Sequence, residues 1–150
     1  MSASLTFRPA NRADVPAVVA LLADDVLGQG RESGQLAPYL AAFDAMQTEG
    51  GNQLIVGEAG GKVLATYQLT MISGLSLSAA RRAQIEAVRV DASLRGHGAG
   101  AALMADAEAR ARAAGATLMQ LTSNASRKDA HRFYERLGYA PSHIGFKKPL

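Results

Sequence analysis

Residues 88–115 read "VRVDASLRGHGAGAALMADAEARARAAG": an apolar strand runs into a long alanine-rich helix, with Arg95-Gly96-His97-Gly98-Ala99-Gly100 between them. The first turn of a helix leaves about four backbone N–H groups without intrahelical partners, and the helix dipole favours negative charge there. Glycine lets backbone come close to a ligand, because no Cβ intervenes. Arg95 adds a forked donor suited to phosphate oxygens. The hexapeptide therefore has the physics of a phosphate cradle. A tight strand–helix connection without a ligand would use the same glycines. Two familiar phosphate sites do not fit. A dinucleotide fingerprint needs G-x-G-x-x-G and an acid after the next strand. Here the glycines stand at 96, 98 and 100, and the next strand ends in "LTSN". The Walker pattern needs G-K-[ST], a triplet the chain lacks. A cradle for another pyrophosphate remains.

Working outward, Gly115 closes the long helix in the usual C-terminal glycine position. "TLMQLTS" is a strand. "RKDAHRFYERLG" is a helix with Ala130, Phe133, Tyr134 and Leu137 on one face and Gly138 as its stop. "GFKKPL" predicts a last strand. Upstream, "AQIEAVRV" is the strand that leads into the glycine turn, and "SGLSLSAARR" is a loop before it. "NQLIVGEAGGKVLATYQLTMI" is a hairpin whose two β-rich runs flank Gly60-Gly61. "LTFRPA" alternates like a first strand. The next helix starts near Asp14, with Val15, Val18, Val19 and Leu22 at the spacing of a buried face. Asn11 or Ala13-Asp14 holds its start, and Pro16 is tolerated in its first turn. "DDVLGQGRESGQ" is a loop, and "LAPYLAAFDAMQ" a second helix that turns Leu40, Phe43 and Met46 inward. The order is β-α-α-β-β-β-α-β-α-β. The strand–long helix–strand unit implies a parallel pair with a right-handed crossover, and the hairpin implies antiparallel pairing elsewhere. A mixed α/β sheet follows.

The bulk properties set limits. A chain of 150 residues fits one domain, 1–150, with one core. With 48% hydrophobic residues and no apolar run near the ~18–20 residues of a membrane span, the composition is globular. The start, "MSASLTFRPANRADV", lacks the pattern of a signal peptide, so a cytoplasmic location is the expectation. Without cysteine there is no disulfide framework, and with three histidines no metal site is expected. The first 75 residues carry a net charge of −3 and the last 75 carry +6. A basic half suits an anionic partner, either a nucleic acid or a phosphorylated small molecule. Aromatic residues are only 5% of the chain, which disfavours a single-strand stacking platform. A solvated helix surface would carry the same charge.

The stretch at 88–115 resembles the acyl-CoA-binding motif of the GNAT superfamily of N-acetyltransferases. The family pattern, Arg/Gln-x-x-Gly-x-Gly/Ala, is matched by Arg95, Gly98 and Gly100. The likeness continues in "LTSNASRKDAHRFYERLGY", which is similar to the family's second cofactor segment with its asparagine and its A-x-x-F-Y-x-x-L-G-F/Y helix. "LTFRPANRADVPAVVALL" is similar to the family's first strand and helix. The resemblance implies a mostly antiparallel sheet with a splayed parallel central strand pair, flanked by helices. It implies direct transfer of an acetyl group from acetyl-CoA to a primary amine of a small molecule or peptide, in a ternary complex and without a metal. Neither nucleic acid nor membrane is an expected partner, and a homodimer is the analogy for assembly. A non-catalytic acyl-CoA sensor would keep the same cradle.

The resemblance also assigns roles. Backbone groups of Val88, Arg89 and Val90 would bond the pantetheine arm. The backbone N–H groups of Arg95, Gly96, His97, Gly98, Ala99 and Gly100 would hold the pyrophosphate, His97 by its backbone only. Asn124 would contact the cofactor, and Arg127 with Lys128 would meet the nucleotide phosphate. Tyr134 would stand near the sulfur as acid. Glu86 is the candidate base. By strand alternation it shares a face with Val88 and Val90, while Ile85, Ala87 and Arg89 point away. A carboxylate ending an apolar row needs a cleft or water, and a salt-bridged or solvated glutamate would meet that need as well. His131 and His143 read as structural or surface residues. Asp24, Asp25, Glu32 and Tyr39 surround the first helix–helix loop, a region that walls the acceptor site in the family; an exposed acidic loop is the plainer reading.

Overall fold

A computed structural model describes residues 4–24, 30, 32 and 34–150. The chain divides into two compact units, Met1–Gln120 and Leu121–Leu150. The first holds a five-stranded sheet of β1 (Thr6–Pro9), β2 (Asn52–Ala59), β3 (Lys62–Ile72), β4 (Arg82–Val90) and β5 (Leu118–Gln120), in that spatial order. The neighbours β1 to β4 pair antiparallel, and β4 with β5 is parallel. Among the described residues three α-helices of nine residues or more accompany the sheet in this unit: α1 (Val15–Ala23), α2 (Ala37–Thr48) and α3 (Ala99–Ala113). The mixed sheet, the hairpin over Gly60-Gly61, both at positive φ, and the parallel pair joined through the long helix are as expected.

Alternation along β3 shows how the two faces are used. Tyr67 is fully buried, and its hydroxyl donates to Asp106 Oδ2 on α3 at 2.5 Å. Burial, reinforced by the Asp106 carboxylate, holds this phenol protonated far above its ordinary range. The same carboxylate accepts from Arg110 Nε at 2.8 Å, and Arg110 reaches back to the Phe7 carbonyl on β1 at 3.1 Å. Leu69, Ile85, Leu103, Met104 and Ala107 are buried with Tyr67 in the core. The intervening residues of β3, Thr66 and Gln68, face the other way, towards α1 and α2. There Val15, Val18, Leu21 and Phe43 are buried.

The entry to α1 rests on one buried carboxylate. Asn11 caps a 3₁₀ turn at Arg12–Asp14: its side chain accepts from Ala13 N at 3.0 Å, while Asp14 Oδ2 accepts from Asn11 N at 2.8 Å. This is a capping box, with both members drawn from the residues expected to start the helix. Arg8 then binds Asp14 with two bonds, at 2.7 and 3.0 Å, and also reaches Glu58 on β2. The Arg8 guanidinium holds the Asp14 carboxyl below the usual carboxylate range.

The loop after β3 contains a left-handed turn at Leu77, Ser78 and Ala79, with φ of 55 to 60°. One expectation fails. No strand follows in the second unit. It holds α4 (Lys128–Arg136), and residues 139–150 form neither helix nor strand. Pro141 and Pro149 offer no N–H to a ladder, and Ile144 and Phe146 are exposed. Within α4 the face of Ala130, Phe133, Tyr134 and Leu137 is half-buried, as the spacing predicts, and Gly138 ends it at positive φ. Among the described residues no helix is long and apolar enough to cross a membrane.

Asp14 gives a pH test. A carboxylate with a depressed folded-state pKa stabilises fully above its unfolded value, ~3.9, and loses that contribution as pH falls through the lower folded value. Asp14→Asn should cost about 1–2 kcal/mol at pH 7, the scale of hydrogen bonds to a charged group. Urea midpoints should show the gap between the variant and the parent narrowing as pH drops below that window.

Candidate functional site

The parallel ladder between β4 and β5 is short. Arg82, Ala83 and Gln84 pair with Leu118, Met119 and Gln120, and pairing ends there. On its other edge β4 stays paired with β3 as far as Val90. Residues 85–90 of β4 therefore lie beyond the registered ladder with β5. A strand edge that runs past its ladder is where an extended, amide-bearing guest can add.

Within this length the strand bulges. Gln68 stands opposite Glu86 and Thr66 opposite Arg89, so three steps on β4 match two on β3. The extra residue is at Ala87, whose φ is 52°. A left-handed alanine costs roughly 1–2 kcal/mol, and bulges of this kind re-aim backbone and side chains beside functional sites.

The bulge corrects the alternation read from the sequence. Directly opposed residues share a face, and Thr66 and Gln68, two apart, share theirs. Glu86 therefore lies on the same face as Arg89. Val90, opposite Ala65, lies on the other with Ile85, which is opposite Leu69. Ala87 turns to the α1–α2 side, where it joins Thr66 and Gln68. Glu86 is exposed, which satisfies a carboxylate on an otherwise apolar strand. Arg89 is half-buried and donates from a guanidinium nitrogen to the Val88 carbonyl at 2.9 Å.

Beyond Val90, Asp91 starts a 3₁₀ turn at Ala92–Leu94: its carboxylate accepts from Ser93 N at 2.9 Å and from Ser93 Oγ at 2.6 Å. These two bonds hold its carboxyl below the ordinary range. Arg95 N and His97 N donate to the carbonyls of Ala92 and Leu94. These two amides are thus bonded inside the turn. Gly96 and Gly98 have φ of 78 and 77°, and a Cβ on either would meet nothing within 4 Å. Gly98 is the N-cap of α3, and no side chain caps it. Ala99 and Gly100 open the helix, so their N–H groups belong to the unpaired first turn. Arg95, Gly96, His97 and Gly98 are exposed. The amides around Gly96, Gly98, Ala99 and Gly100 have open space before them, the setting in which a helix start can take a phosphate.

Asn124, Arg127 and Tyr134 belong to the second unit. Asn124 Oδ1 accepts from Ser126 N at 3.0 Å and Ser126 Oγ at 2.7 Å, and its carbonyl lies 2.9 Å from His131 Nε2. The asparagine thus builds the turn that starts α4, and His131 has a structural partner. Arg127 and Lys128 are exposed at the helix start. Tyr134 is half-buried between aromatic neighbours, with ring centroids 5.1 Å from Phe133 and 6.1 Å from Tyr139. Of the acidic group near the first helix–helix loop, Asp25 lies outside the described residues. Glu32 accepts from the Tyr39 hydroxyl at 2.7 Å. Among the described residues no cluster of three or more histidine, cysteine, aspartate or glutamate side chains could hold a metal. The residue that the sequence hides is Ala87. Alanine carries no turn signal, and only the register against β3 exposes the bulge.

The profile of the acetyltransferase (GNAT) family matches residues 19–139. A curated relative, aminoalkylphosphonate N-acetyltransferase of Salmonella typhimurium, is 48% identical over 67 residues, which span 45% of this chain and 44% of that protein. The match thus covers less than half of that relative's length. A crystal structure of a transcriptional regulator from Bacillus halodurans C-125 superposes with a TM-score of 0.93 at 38% identity, over 97% of this chain and 99% of the other. A protein of Agrobacterium tumefaciens str. C58 regarded as an acetyltransferase superposes at 0.85 with 27% identity, over 97% and 99%.

The glycine turn makes its own prediction. Gly98→Ala meets no steric obstacle but forces a left-handed alanine, so it should cost roughly 1–2 kcal/mol. Gly74→Ala also meets nothing within 4 Å and has no positive φ; it should leave stability unchanged or raise it. Urea midpoints of the two variants, side by side, separate backbone strain from lost space.

Proposed function

The chain belongs to the acetyltransferase (GNAT) family, and from that membership we propose that it moves the acetyl group of acetyl-CoA directly to a primary amine, both bound together, with residues 1–150 acting as one domain. The observation that supports this reading is the end of the β4–β5 ladder at Gln84, after which β4 leads into an uncapped, glycine-opened helix start. An edge for an amide-bearing arm and a cradle for its phosphates stand at the two ends of one connection.

The reaction makes three demands. The amine must be neutral to attack, and a free alkylammonium has a pKa of ~10. Glu86, exposed on the part of β4 beyond its ladder with β5, takes the proton from the attacking nitrogen, directly or through a water. The nitrogen forms a bond to the thioester carbon while the C–S bond breaks. A backbone N–H of residues 88–90 stabilises the oxygen as charge develops on it. The departing sulfur receives its proton or a short hydrogen bond from Tyr134. A thiol at ~8.5 and a phenol at ~10 are close enough that the bond alone supplies useful stabilisation. The products are an amide and a free thiol, and no protein nucleophile takes part, in keeping with a chain without cysteine. Val88, Arg89 and Val90 hold the arm. Gly96, Gly98, Ala99 and Gly100 hold the pyrophosphate. Asn124 and Arg127 serve the cofactor from the second segment. The Salmonella relative's name makes small amines the first acceptors to try.

A second reading has its own support, since the Bacillus relative is described as a transcriptional regulator. In that reading acyl-CoA binding is the output and no transfer follows.

Release of free thiol, followed with acetyl-CoA and a panel of primary amines, separates the two. The transferase should turn over at least one amine. Glu86→Gln should lower kcat about 100-fold, the lower range for a general base, and Tyr134→Phe about 10-fold. Acetyl-CoA affinity should be kept in both. Binding without turnover across the panel favours the sensor; no binding at micromolar acetyl-CoA removes both readings.

A further inference from the structure

A cavity of about 170 Å³ opens on the first unit between α1, α2 and the sheet. Its walls include Val19 and Leu22 of α1, Phe43 and Met46 of α2, and Leu54 of β2. On its floor lies Ala87, the bulge residue next to Glu86. The proposed mechanism makes no use of this space.

Three polar side chains reach its lining, and each is already engaged. Thr66 Oγ1 donates to the Ile55 carbonyl at 2.9 Å. Gln68 Nε2 donates to Asn52 Oδ1 at 2.9 Å. Tyr39 donates to the Glu32 carboxylate at 2.7 Å. Among the described residues none that lines the cavity carries a charge. Of the described charged groups around it, Glu32 holds Tyr39, Glu86 stands beside Ala87, and Arg89, opposite Thr66, turns its guanidinium back to the Val88 carbonyl. A phosphonate or carboxylate placed against this uncharged lining would lose its water, a costly change. An apolar group would lose nothing. Apolar cavities of about 150 Å³ in proteins take up benzene, so the space suits a ring or a branched alkyl group of that size.

We propose that this cavity receives an apolar substituent of the acceptor, so that the preferred substrates are arylalkyl or branched alkyl primary amines and not amines bearing an anionic group. The proposal rests on the transferase reading for its amine. A ring between α1 and α2, with a short methylene link on its Ala87 side, brings the nitrogen to β4 beside Glu86. Glu86 then meets the incoming ammonium, and the edge of β4 beyond its ladder with β5 meets the thioester. The chemistry departs from that named for the Salmonella relative, whose match covers less than half of either chain.

Two measurements test the pocket and the transfer separately. In thiol-release assays, kcat/KM for 2-phenylethylamine and isopentylamine should exceed that for methylamine and for aminomethylphosphonate by 10-fold or more. A single methylene in an apolar pocket already discriminates by roughly 10–200-fold. Ala42→Phe places a ring at the exposed mouth of the cavity. It should raise KM for 2-phenylethylamine at least 10-fold and leave KM for acetyl-CoA and turnover of methylamine unchanged. Titration calorimetry with 2-phenylethylamine, on the protein loaded with coenzyme A, needs no turnover. Binding that Ala42→Phe weakens 10-fold supports the pocket even if no amine is acetylated, in which case only the transferase reading fails. Equal or better use of aminomethylphosphonate, or binding of 2-phenylethylamine indifferent to Ala42→Phe, overturns the proposal while transfer itself can stand.

Discussion

A parallel strand pair ordinarily satisfies the backbone groups that face each other along its length. In this protein β4 and β5 share only three registered pairs before the ladder stops, while β3 holds the far edge of β4 to its end. The end of that ladder is the constraint around which the remaining features of this stretch are arranged. The strand ends in the turn at Asp91, and the chain then opens α3 with uncapped amides.

The bulge at Ala87 is the second consequence of the same strand. An extra residue between Glu86 and Arg89 shifts the side-chain period, so a carboxylate and an arginine that strict alternation would separate come to one face. It also turns Ala87 towards α1 and α2 and into the wall of an apolar cavity. The proposed base, the β4 edge and the proposed acceptor space thereby come from neighbouring residues of one strand. The scaffold that carries this strain is well fastened. Tyr67, Asp106 and Arg110 tie β3 to α3 and β1, and Arg8, Asp14 and Glu58 tie β1 and β2 to the start of α1. A left-handed alanine persists only where surroundings of this kind over-determine it.

Family membership and specificity separate along the same lines. In the proposed reaction the glycine turn and the β4 edge handle the part that every acyl-CoA donor shares. The space between α1 and α2 is lined by side chains whose size and polarity can change without disturbing either. Thr66 and Gln68 illustrate the point. Both are polar by composition, yet their hydrogen bonds run to Ile55 and Asn52, and the cavity gains no polar group from them.

Much of this was legible in the residues themselves. Hydrophobic period, the Gly60-Gly61 turn, the helix stops at Gly115 and Gly138, and the glycine spacing of residues 96–100 are local signals, because each reflects the φ/ψ or facing preference of a few consecutive residues. They determined the order of elements as far as α4, the parallel crossover and the place of the glycine turn. Three things depended on residues far apart in the chain. The loss of pairing after Gln84 is a property of two strands that α3 separates. The bulge at Ala87 exists only as a mismatch of register with β3, and alanine gives no sign of it. The two amides of Arg95 and His97 are consumed by carbonyls whose position the 3₁₀ turn sets. The absent final strand has the same origin: "GFKKPL" has some of the composition of a strand, but a strand needs an edge to pair with, and composition cannot supply one. Short-range preferences fixed what each segment is. Only the tertiary structure decided which backbone groups and which faces were left over, because that is a sum over partners and not a property of any one segment.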